Sequence, residues 1–456
     1  MNQPASTPEK PSTSAETPPA PVTFAEAFRF WIKLGFISFG GPAGQIAIMH
    51  SELVERRRWI SERRFLHALN YCMLLPGPEA QQLATYLGWL MHRTWGGIIA
   101  GVLFVLPSLF ILIALSWIYL RFGDVPMVAG LFYGLKPAVT ALVLHAAHRI
   151  GKRALKNPWM WSVAATSFLA IFIFNTPFPA IVLAAAIFGW LGSRCRPEIF
   201  TLSSAHGSAV ANYGPAFIDD HTLTQLHNKF SISRLLKVIF IGLALWLVSM
   251  AALVQIFGLH GTLTQMGWLF TKAALLTFGG AYAVLPYVYQ EAVQTHEWLS
   301  ASQMLDGLAL GETTPGPLIM VVAFVGFVGG WLKELLGPEA LFLGGALAAT
   351  VVTFFTFLPS FILILAGGPL IEATHDKLGF TAPLSAITAA VVGVILNLAI
   401  FFAYYVFWPQ GFEGQFDIVS SVIAAGAAIA LFRFNFGVVT VLACGAIAGL
   451  AVSSLY

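Results

Sequence analysis

Two short stretches of this chain put polar chemistry where an apolar helix would otherwise continue. Ser38-Phe39-Gly40-Gly41-Pro42 and Leu75-Pro76-Gly77-Pro78-Glu79 each interrupt an apolar segment, and each returns later, as Thr277-Phe278-Gly279-Gly280-Ala281 and Thr314-Pro315-Gly316-Pro317-Leu318. Gly-Gly-Pro and Pro-Gly-Pro end one helix and suit the first turn of the next. A helix that starts there offers free backbone amides and a partial positive charge, which together receive an anion. Four such starts are expected, at Pro42, Pro78, Ala281 and Pro317. Ser38 and Thr277 add a hydroxyl beside each Gly-Gly.

Charged side chains stand near these breaks. Lys33 and Lys272 lie within apolar segments. A lysine at the centre of a membrane helix costs ~2.5–3.5 kcal/mol on insertion scales, which calls for an anionic ligand, a carboxylate partner or snorkelling to the interface. Glu79 follows the first Pro-Gly-Pro and Glu312 precedes the second. Either can carry a proton; their structural readings are a first-turn helix carboxylate and a hydrogen-bond partner. Asn70, Gln81, Gln82 and Thr313 belong to the same broken segments and serve either substrate or freed backbone groups. The expected binding set is therefore Lys33, Ser38, Gly40, Gly41, Asn70, Pro76, Gly77, Pro78, Gln81, Lys272, Thr277, Gly279, Gly280, Thr313, Pro315, Gly316 and Pro317, with Glu79 and Glu312 as proton-coupling residues. No catalytic residue, metal ligand or cofactor is expected.

The elements that must position these residues are duplicated. Phe278 follows Phe39 at an offset of 278 − 39 = 239. Lys33 and Lys272, Glu52 and Glu291, Trp59 and Trp298, Ser61 and Ser300, and Pro76 and Pro315 repeat at the same spacing. A constant offset across a whole module identifies an internal repeat. Residues 1–22, rich in Pro, Ser and Thr, read as a disordered cytoplasmic tail. Residues 23–192 form the first repeat, 193–261 a polar linker with one connecting helix, and 262–456 the second repeat. In each repeat two broken segments precede four apolar runs, and Leu106-Pro107-Ser108 returns as Leu358-Pro359-Ser360.

The chain is 57% hydrophobic and 10% charged, against the ~25% charge of soluble domains. Its many uncharged runs approach the ~18 residues of a membrane helix. The net charge of +3 is too small and too dispersed for nucleic acid. Cys72, Cys195 and Cys444 lie far apart, which argues against a disulfide framework or a metal centre. His145 and His148, beside the basic patch Arg149–Lys156, are expected at the interface. No HExxH, P-loop, GxSxG or strand-linked GxGxxG occurs.

Charge also orients the chain. Residues 51–64 carry five arginines, whereas their counterparts 290–303 carry no Lys or Arg. Positive charge marks cytoplasmic loops, so the repeats are expected to face opposite ways. The fold class expected is an all-α polytopic membrane protein of two inverted-topology repeats, a plan secondary transporters use. Reading the broken segments as re-entrant gives nine full spans and four re-entrant segments; the rival reading lets each broken segment cross once.

Ser38-Phe39-Gly40-Gly41-Pro42, Leu75-Pro76-Gly77-Pro78-Glu79-Ala80-Gln81-Gln82-Leu83-Ala84 and Thr314-Pro315-Gly316-Pro317 resemble the chromate ion transporter family in its long two-domain form. Ala281 departs from the paired pattern, standing where the first repeat has Pro42. The resemblance implies a bacterial inner-membrane exporter of chromate, a tetrahedral divalent oxyanion like sulfate, driven by a proton or ion gradient and conferring chromate resistance. Its partners would be the anion and the lipid bilayer, with a homodimer allowed. Sulfate transport, a passive anion channel and a membrane oxyanion reductase are the competing readings.

Overall fold

The computed structural model describes residues 19–195, 213–219, 231–373 and 381–454. Most of the tail, most of the 193–236 linker and Lys377 lie outside the described residues. Among the described residues the protein is helical, with one isolated bridge pairing Ile60 and Ile218.

The first repeat comprises α1 (Phe24–Ile37), α2 (Gly41–His50), α3 (Glu62–Cys72), α4 (Glu79–Phe122), α5 (Pro126–Ala154), α6 (Pro158–Phe174) and α7 (Phe178–Cys195). The connecting helix is α8 (Ile232–Phe257). The second repeat comprises α9 (Thr262–Leu276), α10 (Ala281–Tyr289), α11 (Ala301–Thr313), α12 (Val321–Leu332), α13 (Leu341–Ala373), α14 (Thr381–Phe407), α15 (Ile418–Phe432) and α16 (Val438–Ser453). Six helices are long and apolar enough to cross a membrane, and four shorter apolar ones accompany them. The chain is thus an all-α, multi-pass membrane protein.

The repeats match in backbone detail. α2 and α10 each run into a π-helical turn, Ser51–Arg56 and Gln290–Thr295, at the 239-residue offset. Ser61 and Ser300 each cap the next helix by accepting a backbone N–H, from Arg64 and Gln303, as N-cap hydroxyls do. The non-glycine residues with positive φ fall in three pairs at corresponding turns: Arg58 with Glu297, Arg93 with Glu334, and Asn175 with Asn435.

α4 is not one rod. Non-helical backbone at His92 and Arg93 divides it, and the two arms fold back on each other. A Cβ on Gly88 would lie 2.4 Å from the Gly96 carbonyl oxygen, so the arms touch backbone to backbone. The first arm, 79–91, is about 20 Å long at 1.5 Å per residue, short of a hydrocarbon core of about 30 Å. In the second repeat α12 and α13 make the same hairpin, Gly330 against Gly344.

The last helices of each repeat wrap the other repeat. α6 and α7 pack on α14, with Gly393 against the Ala164 carbonyl and Gly189 against that of Ala382. α15 and α16 pack on α5, where Gly130 and Gly134 meet Gly445 and Gly449. Two GxxxG faces let these backbones approach where lipid provides no hydrophobic drive. The repeats therefore form one interlocked body.

Candidate functional site

The four breaks meet at the centre of that body, and they meet crosswise. The Gly77 N–H donates to the Thr277 carbonyl at 2.8 Å, and the Gly316 N–H donates to the Ser38 carbonyl at 2.9 Å. Each Pro-Gly-Pro of one repeat is thus tied to the Gly-Gly break of the other. A glutamine steadies each turn: Gln82 Nε2 donates to the Pro76 carbonyl at 2.8 Å, and Gln45 Nε2 to the Gly316 carbonyl at 2.5 Å. Every break glycine has positive φ, from 69° at Gly41 to 129° at Gly77, the region where a side chain is strained. Buried backbone groups freed by a break are tolerated when protein re-satisfies them, and these four bonds do so.

Several polar atoms around the turns are left without a partner. Gln45 Oε1, Gln81 Oε1, Gln82 Oε1, Ser108 Oγ and Ser360 Oγ are buried and unpaired. Ser108 stands against Gly316 and Ser360 against Gly77, again crosswise. The hydroxyls of Ser38 and Thr277 are committed, each donating at 2.6 Å to a carbonyl one turn back, Leu34 and Ala273. Gln81 Nε2 donates to Thr85 Oγ1, and Thr313 Oγ1 donates to the Leu310 carbonyl.

Beside the Gly40-Gly41 break opens a cavity of about 220 Å³. It is lined by Gly40, Gly41, Leu142, His145, Ala146, Arg149, Tyr282, Glu312, Leu431, Phe436, Gly437 and Val438. The α2 N-terminus opens at it with no side-chain cap. α5 contributes the cation, Arg149, and an imidazole, His145, whose ring packs edge-on against Phe432 at 5.0 Å. The second repeat contributes Glu312, buried and accepting a hydrogen bond from the Tyr282 hydroxyl. Arg149 makes no ion pair with Glu312, although its charge acts on it through space. A helix N-terminus, a guanidinium and a protonatable carboxylate thus share one wet space. That combination can hold an anion and exchange a proton beside it.

The residues expected from sequence separate into groups. Gly40, Gly41 and Glu312 line the cavity; Pro76–Pro78 and Pro315–Pro317 form the crossed turns beside Thr277 and Ser38. Gly279 and Gly280 form the equivalent break of the second repeat, where Thr388 is the nearest side chain to Gly279. Glu79 opens α4, half-buried, with the charge of Arg153 acting on it. Lys33 and Asn70 are exposed on α1 and α3, away from the cavity lining. Lys272 is half-buried on α9 near His296, whose imidazole burial holds below its ordinary pKa, Glu291 opposing and Lys272 assisting. His145, expected at the interface, instead lines the cavity together with Arg149 of the basic patch: α5 continues past Ala146 and brings its last turns over the break. Gln45, Lys136 and Asp306 were not singled out by the sequence reading, and Ser108 and Ser360 entered it only within the repeated Leu-Pro-Ser motif.

The family model described as Chromate transporter matches residues 25–190 and 264–450, one match per repeat. A "Chromate transport protein" of Pseudomonas aeruginosa is 33% identical over 389 residues, 84% of this chain and 82% of the relative. One of Cupriavidus metallidurans is 27% identical over 401 residues, 87% of each. "Uncharacterized transporter YwrA" of Bacillus subtilis is 31% identical over 167 residues, 36% of this chain and 94% of its own length. No solved structure matches the chain. Two family matches laid over two backbone-equivalent repeats, with their signature turns tied to each other, place this chain in the chromate transporter family.

Proposed function

We propose that the protein is a secondary transporter that exports chromate across the bacterial inner membrane, coupled to the proton or ion gradient, and so confers chromate resistance. The observation that carries this reading is the cavity where the α2 N-terminus and Arg149 face Glu312. A divalent oxyanion there is met by helix-end amides and a guanidinium. Two anions crowd one low-dielectric space, so the oxyanion and a deprotonated Glu312 disfavour each other. Anion occupancy is thereby linked to a proton on Glu312, and a dianion that leaves with that one proton still carries net negative charge outward, along an inside-negative membrane potential.

The crossed bonds at Gly77 and Gly316 are what a twofold relation between the repeats generates, and the five arginines against none favour an axis in the membrane plane. Residues 217 and 218 also pair with Arg58, Trp59 and Ser61, which keeps part of the linker on the face of the arginine-rich turn. On this reading that face and the tail are cytoplasmic, and the short arms of the hairpins are re-entrant. Single-cysteine probes at Arg57 and His296 then label from opposite sides of the membrane; labelling from one side refutes the inversion. Sulfate, with the same shape and charge, is the second substrate reading. Everted vesicles test both: chromate uptake that rises with an imposed proton gradient and falls with added sulfate supports the proposal. Uptake that only equilibrates chromate would make the protein a passive channel.

A further inference from the structure

α5 carries a second cation far from the cavity. Lys136 precedes Arg149 by 13 residues, about 20 Å along the helix at 1.5 Å per residue. Its ammonium lies 3.4 Å from Asp306 Oδ2 and donates to Ser302 Oγ at 2.7 Å. Tyr119, from the second arm of α4, donates to the same Asp306 oxygen at 2.8 Å. Asp306 Oδ1 is buried and has no partner. The Asp306 side chain is 3% exposed, whereas that of Lys136 is 28% exposed, so the lysine is the more open member of the pair. Ser302 belongs to the 290–303 segment that lacks Lys and Arg, so this cluster sits toward the face opposite the arginine-rich turn in the proposed topology.

A buried ion pair is a poor stabiliser: well-packed neutral residues usually serve as well or better. Within a membrane segment such a pair marks an ion path by default. The pair also crosses the repeats, with Lys136 on the first and Asp306 on the second. α5 and α11 therefore face each other at two levels, each a cation against a carboxylate: Arg149 with Glu312, and Lys136 with Asp306.

We propose that Lys136 is the second oxyanion station of the pathway, at the mouth opposite the cavity, and that Asp306 is the internal anion that occupies it between passages. An arriving tetrahedral dianion takes the ammonium and the Ser302 hydroxyl. Asp306 keeps the Tyr119 hydrogen bond and takes a proton on Oδ1 from water that enters with the anion, returning it to water when the anion leaves. The charged and polar groups that meet Asp306 are Lys136 and Tyr119, and Ser302 meets Lys136. This inference rests on the oxyanion-transport reading above.

The test pairs two neutral replacements with a measurement on the parent chain. Lys136→Gln/Asp306→Asn removes both charges and keeps the shapes. It is expected to purify as a monodisperse protein and to bind chromate at the Arg149 cavity within about twofold of the parent, yet to lose at least tenfold in flux. Parent-like flux in the double variant would make the pair a scaffold element and overturn the proposal. In the parent, at a pH that keeps chromate doubly deprotonated, saturating chromate should slow amine-selective labelling of Lys136 at least fivefold relative to chloride, with exposed Lys237 unchanged. Chromate that binds without protecting Lys136 overturns the proposal even if the double variant fails to fold. A parent that binds no chromate at all would instead refute the transport reading.

Discussion

α5 and α14 occupy corresponding places in the two repeats, yet they carry opposite chemistry. α5 holds Lys136, His145, Arg149, Lys152 and Arg153, whereas α14, from Thr381 to Phe407, holds no charged residue at all. Their frames agree: each is clasped by the last two helices of the other repeat, and each packs beside a Gly-Gly break. The cavity described above opens on the α5 side. Duplication thus supplied a symmetric scaffold, and the cations of this helix pair settled on α5. Backbone geometry tolerates little change because both repeats depend on it reciprocally. Side chains lining one cavity are free to differ.

The comparison separates shared parts from unshared ones, and substitutions can be ranked accordingly. The largest effect belongs to the crossed turns. A Cβ on Gly316 would lie 2.7 Å from Ser108 Cβ, and one on Gly77 would lie 2.3 Å from Ser360 Oγ, both at positive φ. Gly77→Leu or Gly316→Leu is expected to leave less than about a hundredth of parental flux, because overpacking and left-handed strain add. Equal losses at the two positions would sharpen the symmetric-scaffold reading; parental flux from either would break it.

Next come the carboxylates. Glu312→Gln is expected to reduce gradient-driven flux at least about tenfold while chromate still binds, as the loss of a positioned proton carrier does. Glu79→Gln, outside the cavity lining, should cost only about two- to threefold by the same measure. A reversed ranking, read in vesicles with and without the gradient, would move the coupling site to the first Pro-Gly-Pro. Arg149→Gln should weaken chromate binding about tenfold, or ~1.4 kcal/mol, and affect dianions more than monovalent anions. The smallest effect is expected at the lysines. Lys33→Gln should change affinity by less than about twofold, as exposed charges usually do, and Lys272→Gln should act through the His296 turn rather than the site. Equilibrium binding to purified variants measures all three.

The scaffold was the more legible part of the sequence. A constant offset exposes a duplication without any structural knowledge, and Gly and Pro announce breaks because few residues fit such backbone. The reversal within α4 was legible only as the boundary between the second broken segment and the first apolar run after it. His92 and Arg93 are ordinary residues, and the turn they make is set by the close Gly88–Gly96 contact rather than by a local signal. The crossed pairing of the breaks could not be read either, since spacing along the chain does not say which break meets which. In the site, Glu312 was visible as a lone acid beside a Pro-Gly-Pro. Arg149 and His145 looked interfacial because they belong to a basic run at a helix end. Lys136 and Asp306 lack counterparts in the other repeat, so a search for repeated motifs passes over them. A search for lone charges within apolar runs would have found both.

The crossed bonds at Gly77 and Gly316 also set a timetable for biosynthesis. When residues 24–190 have emerged and inserted, the Gly77 N–H lacks its acceptor and the Ser38 carbonyl has only Gln45 to bond, because Thr277 and Gly316 have not yet been made. α5 likewise waits for α16, and α6 and α7 for α14. The first half must therefore reside in the bilayer with its core open until nearly the whole second half has followed, and α16, the last of the described helices, is one of the two that close α5. A chain stopped short of Val438 would be inserted but never sealed, which makes its end a point where membrane quality control can tell finished molecules from truncated ones.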